Sequence, residues 1–405
     1  MSAGELLVLG AGEEQVVLYQ EARRRGLRTV AVDMRADRPG IPLADEFLPI
    51  STTDHAGIAQ ALAGRPIAGV VSTAADTCLE SWHRLSVHFG TPWPYPAAAA
   101  AASMDKAAFH RVAAAAGVPS YRWAQSEDLA SLADAVRGFR FPVVVKPTDA
   151  SGGRGVTGVP DEAGLDAALR HAAQLSPSGQ VIVEEFVEGV NYTVNVFMSG
   201  GEVALSVITV KDVLPGPGFL IGGHTAPAPL APEATEEMTR EARELCRAFD
   251  LHDGPANFDV VVAPDGTRYV LEVGARMSGN GFPRLVSALA GVDVVAALVG
   301  LAIGEPVAIA PRHWRPTRLH VLTSPLHGPG EFVGAPGLDA VAALPDVTSV
   351  ELFVKPGDPV QPFTEAGRKL GWVVVSAEDA SGLDARVAEV VAALGLDVKA
   401  PMTVA

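Results

Sequence analysis

Several residue groups in this 405-residue chain have the types and spacing that chemistry on phosphate needs. Lys146 closes the apolar run Phe141-Pro142-Val143-Val144-Val145, which carries a point charge to the edge of a buried strand. Taken alone, a lysine in that place more often snorkels at the surface. The chain continues through Asp149-Ala150-Ser151-Gly152-Gly153-Arg154-Gly155, where closely spaced glycines let backbone amides turn toward phosphate oxygens and Ser151 and Arg154 add donors. A flexible hairpin explains the loop equally well by itself; the cation just before it favours phosphate. Asp259 and Glu272 lie on two strand-like runs joined by Pro264-Asp265-Gly266. A hairpin there brings both carboxylates to one end of a sheet, where they repel unless a cation lies between them. Hard oxygen ligands of this kind suit magnesium. Solvated strand-end acids are the plainer alternative, but both acids are set among apolar neighbours.

The elements that must position these residues follow from periodicity. Apolar runs at 6–9, 29–32, 47–50 and 67–72 read as strands, separated by helical stretches through 16–22 and from near Asp54 and Asp76. That alternation predicts a parallel sheet covered on both faces. A Pro-rich turn at 91–96 marks a boundary, and the Ala-rich stretch 97–116 is predicted as one helix carrying Lys106 in Ser103-Met104-Asp105-Lys106. Beyond it, strands at 143–146, 181–184 and 193–198 flank Gly-rich sequence. The segment 215–229 is expected to be a loop, 236–249 an amphipathic helix and 382–394 a terminal helix. These breaks divide the chain into a parallel α/β domain (1–96), two α+β lobes (97–190 and 191–306) and a C-terminal α+β cap or lid (307–405). No repeat of solenoid length is visible. Gly10-Ala11-Gly12, with Asp33 ending the next strand, invites a dinucleotide reading, but Gln15 stands where the fingerprint needs its third glycine. A tight strand-to-helix turn is the better reading.

Composition removes other classes. A formal charge of −16 repels phosphate backbones and anionic lipid, so no nucleic-acid or membrane partner is expected, while a local pocket for a small anion remains open. Mean hydropathy is +0.23, yet the longest apolar run, 292–304, carries Asp293 and is too short to span a bilayer. The N-terminus lacks a basic stretch and is not expected to be a signal peptide. Cys78 and Cys246 are the sole cysteines, which excludes a disulfide framework and points to a reducing cytoplasm.

The motifs also fall in a telling order. After Lys106, Lys146 and the Gly-rich loop come Glu184-Glu185-Phe186-Val187-Glu188-Gly189, then Asn257-Phe258-Asp259, then Leu271-Glu272-Val273-Gly274-Ala275-Arg276. This ordered set resembles the ATP-grasp superfamily of ADP-forming ligases, over residues 1–305. The resemblance implies an α/β and α+β ATP-grasp fold with an N-terminal nucleotide-fold domain and a C-terminal cap. It implies ATP and Mg2+ as cofactors, with Mn2+ able to substitute. Lys106 and Lys146 would meet the ATP phosphates, with Ser151, Gly152, Gly153 and Arg154 folding over them. Glu184, Glu185, Phe186 and Val187 would form the hinge holding adenine, and Asp259 and Glu272 would bind metal. Arg276 would steady an acyl phosphate.

Two positions depart from the family pattern. Asn191 stands where an acid for the ribose is usual and would still hydrogen-bond it, with Glu188 a substitute; Gly274 stands where a metal-binding Asn is usual, so a second metal would rest on Glu272, phosphate oxygens and water, or on Asn257 if it turns inward. Relatives that ligate amino acids tolerate a small residue there while keeping the arginine, which favours the L-amino acid (dipeptide) ligase branch. In that branch a segment like Ile221-Gly222-Gly223-His224 faces the acceptor, so His224 joins Arg276 and Lys146 as an expected catalytic residue, as substrate contact or proton acceptor. A loop histidine stabilising its own turn fits the residue equally well. The expected reaction joins a small-molecule carboxylate to an amine through an acyl phosphate, in a homodimer. The alternatives are a carboxylase or purine-type ligase using bicarbonate or a nucleotide intermediate, and a non-catalytic ATP-binding switch.

Overall fold

The N-terminal apolar runs form a parallel sheet in the order Glu46–Leu48, Thr29–Val32, Glu5–Leu9, Ile67–Val71. Leu6, Leu7, Val8 and Leu9 are all fully buried, as a parallel strand covered on both faces requires. This structure is a computed structural model and describes residues 4–149, 154–215 and 219–400.

A second sheet, antiparallel, runs Trp123–Ser126, Val181–Glu185, Val143–Pro147, Thr157–Val159. The helix Leu165–Leu175 covers it with Leu165, Ala168, Leu169 and Ala172, spaced to share one helical face. These side chains close with Val143, Val145, Val181 and Val183 into a core of their own, separate from the core of the main body.

The largest sheet is antiparallel and orders Arg268–Gly274, Gly254–Val262, Val190–Ser199, Glu202–Val213, Ile221–Ala226, Thr317–Leu322, Gly371–Ser376 and Val347–Leu352. Its last three strands come from the final hundred residues, so that segment continues the sheet of the second lobe edge to edge. The helix Pro232–Ala248 packs on this sheet through Met238, Ala242, Leu245 and Cys246. Among the described residues no single helix is long and apolar enough to cross a membrane.

Two expectations are corrected. The Ala-rich stretch is two helices, Ala97–Met104 and Lys106–Ala115. Asp105 adopts an extended conformation, φ −126° and ψ 106°, and its carboxylate accepts from the Ala107 amide at 2.9 Å, so it caps the second helix instead of continuing the first. The expected loop at 215–229 contains the strand Ile221–Ala226. Gly222 and Gly223, which read as loop residues, serve close packing: a Cβ on Gly223 would lie 2.5 Å from the Leu319 carbonyl oxygen, and one on Gly222 2.7 Å from the Leu214 side chain.

Candidate active site

The small lobe, built of the four-stranded antiparallel sheet and the helix Leu165–Leu175, together with the large sheet and the N-terminal domain, lines a cavity of about 480 Å3, a size typical of small-molecule sites. Lys146 reaches it from the end of its strand, and Lys106 from the first turn of the helix that Asp105 caps. Asp259 and Glu272 are direct partners across the hairpin, but only because of a bulge. Val260 pairs with Val270 and Asp259 with Glu272, so Leu271 is an extra residue. In an unbulged register continued from Val260 and Val270, Glu272 would fall opposite Phe258, whose side chain is buried in the core. The bulge turns the carboxylate to the cavity face.

Charge alternates through the site. Lys146 Nζ lies 2.6 Å from Glu184, Lys106 Nζ 3.7 Å from Glu272, and Arg276 donates to Asp76 at 2.7 Å. Lys211 forms an ion pair with Asp259, which also accepts from Thr193 at 3.2 Å. Burial alone would raise the Glu272 pKa, yet Lys106, Lys146, Lys211 and Arg276 outweigh it and hold the carboxyl down at about 2. Its side chain keeps 48% of its accessibility because it faces open cavity and not packed protein. Burial likewise pulls the Lys146 ammonium down, and Glu184 and Glu272 more than compensate and raise it. Glu272 and Lys146 are therefore both charged at neutral pH.

The position of Gly274 has a steric explanation. A Cβ there would come within 2.9 Å of Arg276 Nη1 and 3.0 Å of Asn257 Nδ2. The guanidinium occupies the space an Asn side chain would need. Asn257 faces the cavity, but its amide donates to the Gly274 and Arg276 carbonyls at 3.0 and 2.8 Å. It braces the loop that carries Arg276.

Phe186, Val187 and Asn191 line the cavity, and the Phe186 ring stacks on Phe219 with centroids 5.7 Å apart. Glu185 also lines it, while its carboxylate accepts from the Arg140 amide at 2.8 Å. Glu184 also lines the cavity, and its carboxylate is buried and paired with Lys146. Arg154 is exposed and is not among the cavity-lining residues; Ser151, Gly152 and Gly153 lie outside the described residues. His224 lies on the cavity wall with Nδ1 3.1 Å from Thr209 Oγ1; burial and then Lys211 push its pKa down to about 3, so it is neutral. Sequence reasoning missed Lys211, Asp76 and Phe219. Lys211 is one polar residue in a long alternating strand, and nothing in its sequence neighbourhood sets it apart.

The N-terminal turn holds no free dinucleotide cradle. Gln15 accepts from the Gly12 amide at 3.0 Å and Asp33 from the Ala11 amide at 3.0 Å, so the amides a pyrophosphate would use are already donated inside the protein.

Comparison with known proteins identifies the family. A family model described as the carbamoyl-phosphate synthase L chain, ATP binding domain, matches residues 105–310. The chain belongs to the ATP-grasp carboxylate–amine ligases. Enzymes of this family use ATP with Mg2+. A second model, L-amino acid ligase C-terminal domain 2, matches residues 324–399 of this ATP-grasp chain. An uncharacterised protein of Sinorhizobium fredii is 32% identical over 78% of the chain and 66% of its own length. A formate-dependent phosphoribosylglycinamide formyltransferase of Geobacter metallireducens is 28% identical over 91% of each chain. Among solved structures, an L-amino acid ligase from Bacillus licheniformis superposes with a TM-score of 0.81 at 22% identity, covering 96% of this chain and 98% of its own. A phosphoribosylglycinamide synthetase from Anaerococcus prevotii gives 0.76 at 20% identity, covering 98% and 99%.

Proposed function

We propose that this ligase joins the carboxylate of an amino acid to an amine, with ATP and magnesium bound in the cavity. The observation that carries the reading is the opposition of Asp259 and Glu272 inside a ring of Lys106, Lys146, Lys211 and Arg276. The donor set fits the metal: two hard carboxylates face each other, and one of them already holds a cation, Lys211. Asp259 and Glu272 would bind magnesium, which supplies charge neutralisation on phosphate oxygens.

Lys106 and Lys146 hold the γ-phosphate while a substrate carboxylate oxygen attacks its phosphorus and the bond to the ADP oxygen breaks. The product is an acyl phosphate. The amine nitrogen then attacks the acyl carbon, phosphate departs with the electrons of the carbon–oxygen bond, and the proton lost by the amine is taken up by the departing phosphate. Arg276, kept charged by Asp76 against the effect of burial, meets the negative charge that builds on the carbonyl oxygen. An imidazole with a pKa of about 3 is a poor base at neutral pH, so His224 serves as a substrate contact and not as the proton acceptor.

The match along nearly the whole chain to formate-dependent phosphoribosylglycinamide formyltransferases favours a second reading, with formate as carboxylate and phosphoribosylglycinamide as amine. One ADP-release screen decides between them. Its arms are pairs of amino acids, formate with phosphoribosylglycinamide, and bicarbonate with an aminoimidazole ribonucleotide, each followed by mass spectrometry of products. The expected result is ADP release with a dipeptide mass. Release of AMP in any arm would overturn the reaction class.

A further inference from the structure

Beneath Lys146 lies a polar chain that the ligase mechanism leaves unused. His110 sits one helical turn after Lys106, so a single face of the Lys106–Ala115 helix presents both residues toward the cavity side. Lys106 meets Glu272, and His110 Nε2 meets Glu184 Oε1 at 3.2 Å. The other Glu184 oxygen holds Lys146 Nζ at 2.6 Å. His110 and Glu184 are each 4% exposed, so water does not compete for these bonds. The imidazole is fixed in orientation: its ring stacks on Trp123 at 5.0 Å with planes 17° apart, and the Tyr121 ring meets it edge-on at 5.2 Å.

The two ends of the chain belong to different bodies. The helix packs into the main core through Phe109, whose ring lies 6.1 Å from Phe249. Glu184 and Lys146 stand on adjacent strands of the small lobe, whose core is separate, and Trp123 is the register partner of Glu184. A lysine on a flexible stem has several rotamers, and a carboxylate held from behind removes most of them. Burying Glu184 beneath Lys146 without a second donor would also leave one of its oxygens unsatisfied.

We propose that His110 is a positioning residue that, through Glu184, fixes the Lys146 ammonium at the place where the phosphates of a nucleoside di- or triphosphate bind. The proposal rests on the nucleotide-binding part of the function above and extends it to a residue that touches no substrate. It makes the contact between the two bodies and the placement of a phosphate-binding cation one and the same.

The test compares ADP with adenosine, which lacks the phosphates, by calorimetric binding to the full chain. His110→Phe keeps a flat ring against Trp123 and removes the donor; His110→Gln keeps an N–H donor. His110→Phe is expected to weaken ADP about tenfold, the scale of one hydrogen bond to a charged group, and to leave adenosine within about twofold. His110→Gln recovers most of the ADP affinity. In turnover the KM for ATP rises and kcat falls, because Lys146 also holds the transferring phosphate, while the KM values of the substrates being joined hold steady. Should His110→Phe fail to fold, Glu184→Gln, the donor-less His110→Leu and the double variant Glu184→Gln/His110→Leu carry the test. The double variant is expected to bind ADP no more weakly than Glu184→Gln alone, because both changes break one chain. Unchanged ADP affinity in His110→Phe, equal weakening of ADP and adenosine, or additive losses in the double variant would overturn the proposal. A failed ligation screen with intact discrimination between ADP and adenosine sinks the ligase reading alone.

Discussion

Glu272→Ala abolishes ADP release while the chain stays folded. The carboxylate is the one that the bulge turns into the cavity, and Lys106, Lys146, Lys211 and Arg276 all act on it. Its loss removes one of the two hard ligands available to magnesium and leaves the cations facing a phosphate chain with less to hold it in line. Several kcal/mol of transition-state stabilisation disappear, or about a thousandfold in turnover at about 1.4 kcal/mol per tenfold. The fold survives because the side chain faces the cavity, with 48% of its accessibility retained, and packs no core. A coupled assay for ADP and a thermal melt read the two effects separately. Turnover within tenfold of the parent would remove Glu272 from the metal site.

Lys146→Met costs both activity and stability, for separable reasons. Methionine matches the length of the stem and removes the charge, so phosphate loses a cation and turnover falls by roughly a hundredfold or more. Glu184 is left buried beside His110 without its ammonium partner, and breaking a buried pair from one side costs about 3–5 kcal/mol. Adding Glu184→Gln removes the stranded charge and is expected to restore most of the denaturant midpoint without restoring ADP release. Recovery of activity together with stability would mean that Lys146 acts only as a structural counter-ion. Both variants are read by urea unfolding and by the same ADP assay.

Much of this site was legible in the sequence, and what was hidden has physical causes. Lys146 could be placed because three valines before it demand a buried strand that must end somewhere, and a charge marks the end. The parallel sheet followed from four short apolar runs spaced by helices. The facing of Asp259 and Glu272 was expected from the hairpin, but the bulge that achieves it was not, since Val-Leu-Glu-Val carries no residue that requires one. Gly222 and Gly223 looked like loop because glycine usually signals freedom, whereas here it signals crowding. Asp105 was read as one residue of an Ala-rich helix, and its capping role depends on tertiary placement that propensity does not encode. His110 and Lys211 gave no signal at all. A histidine on an Ala-rich helix and a lysine on an alternating strand become informative only when Glu184 and Asp259 are brought to them.

The pairing of Ile221–Ala226 with Thr317–Leu322 has a consequence for anyone who isolates the ATP-binding region alone. A fragment ended at residue 310, where the match to that region stops, loses the neighbouring strand and bares a row of unpaired amides and carbonyls. Gly222 and Gly223 place no Cβ along that edge, and no lysine or proline within 221–226 guards it. Such an edge recruits strands from other molecules, so the fragment would be prone to polymerise through the wall that carries His224. The final hundred residues thus cover the edge that this strand of the ligase sheet would otherwise expose.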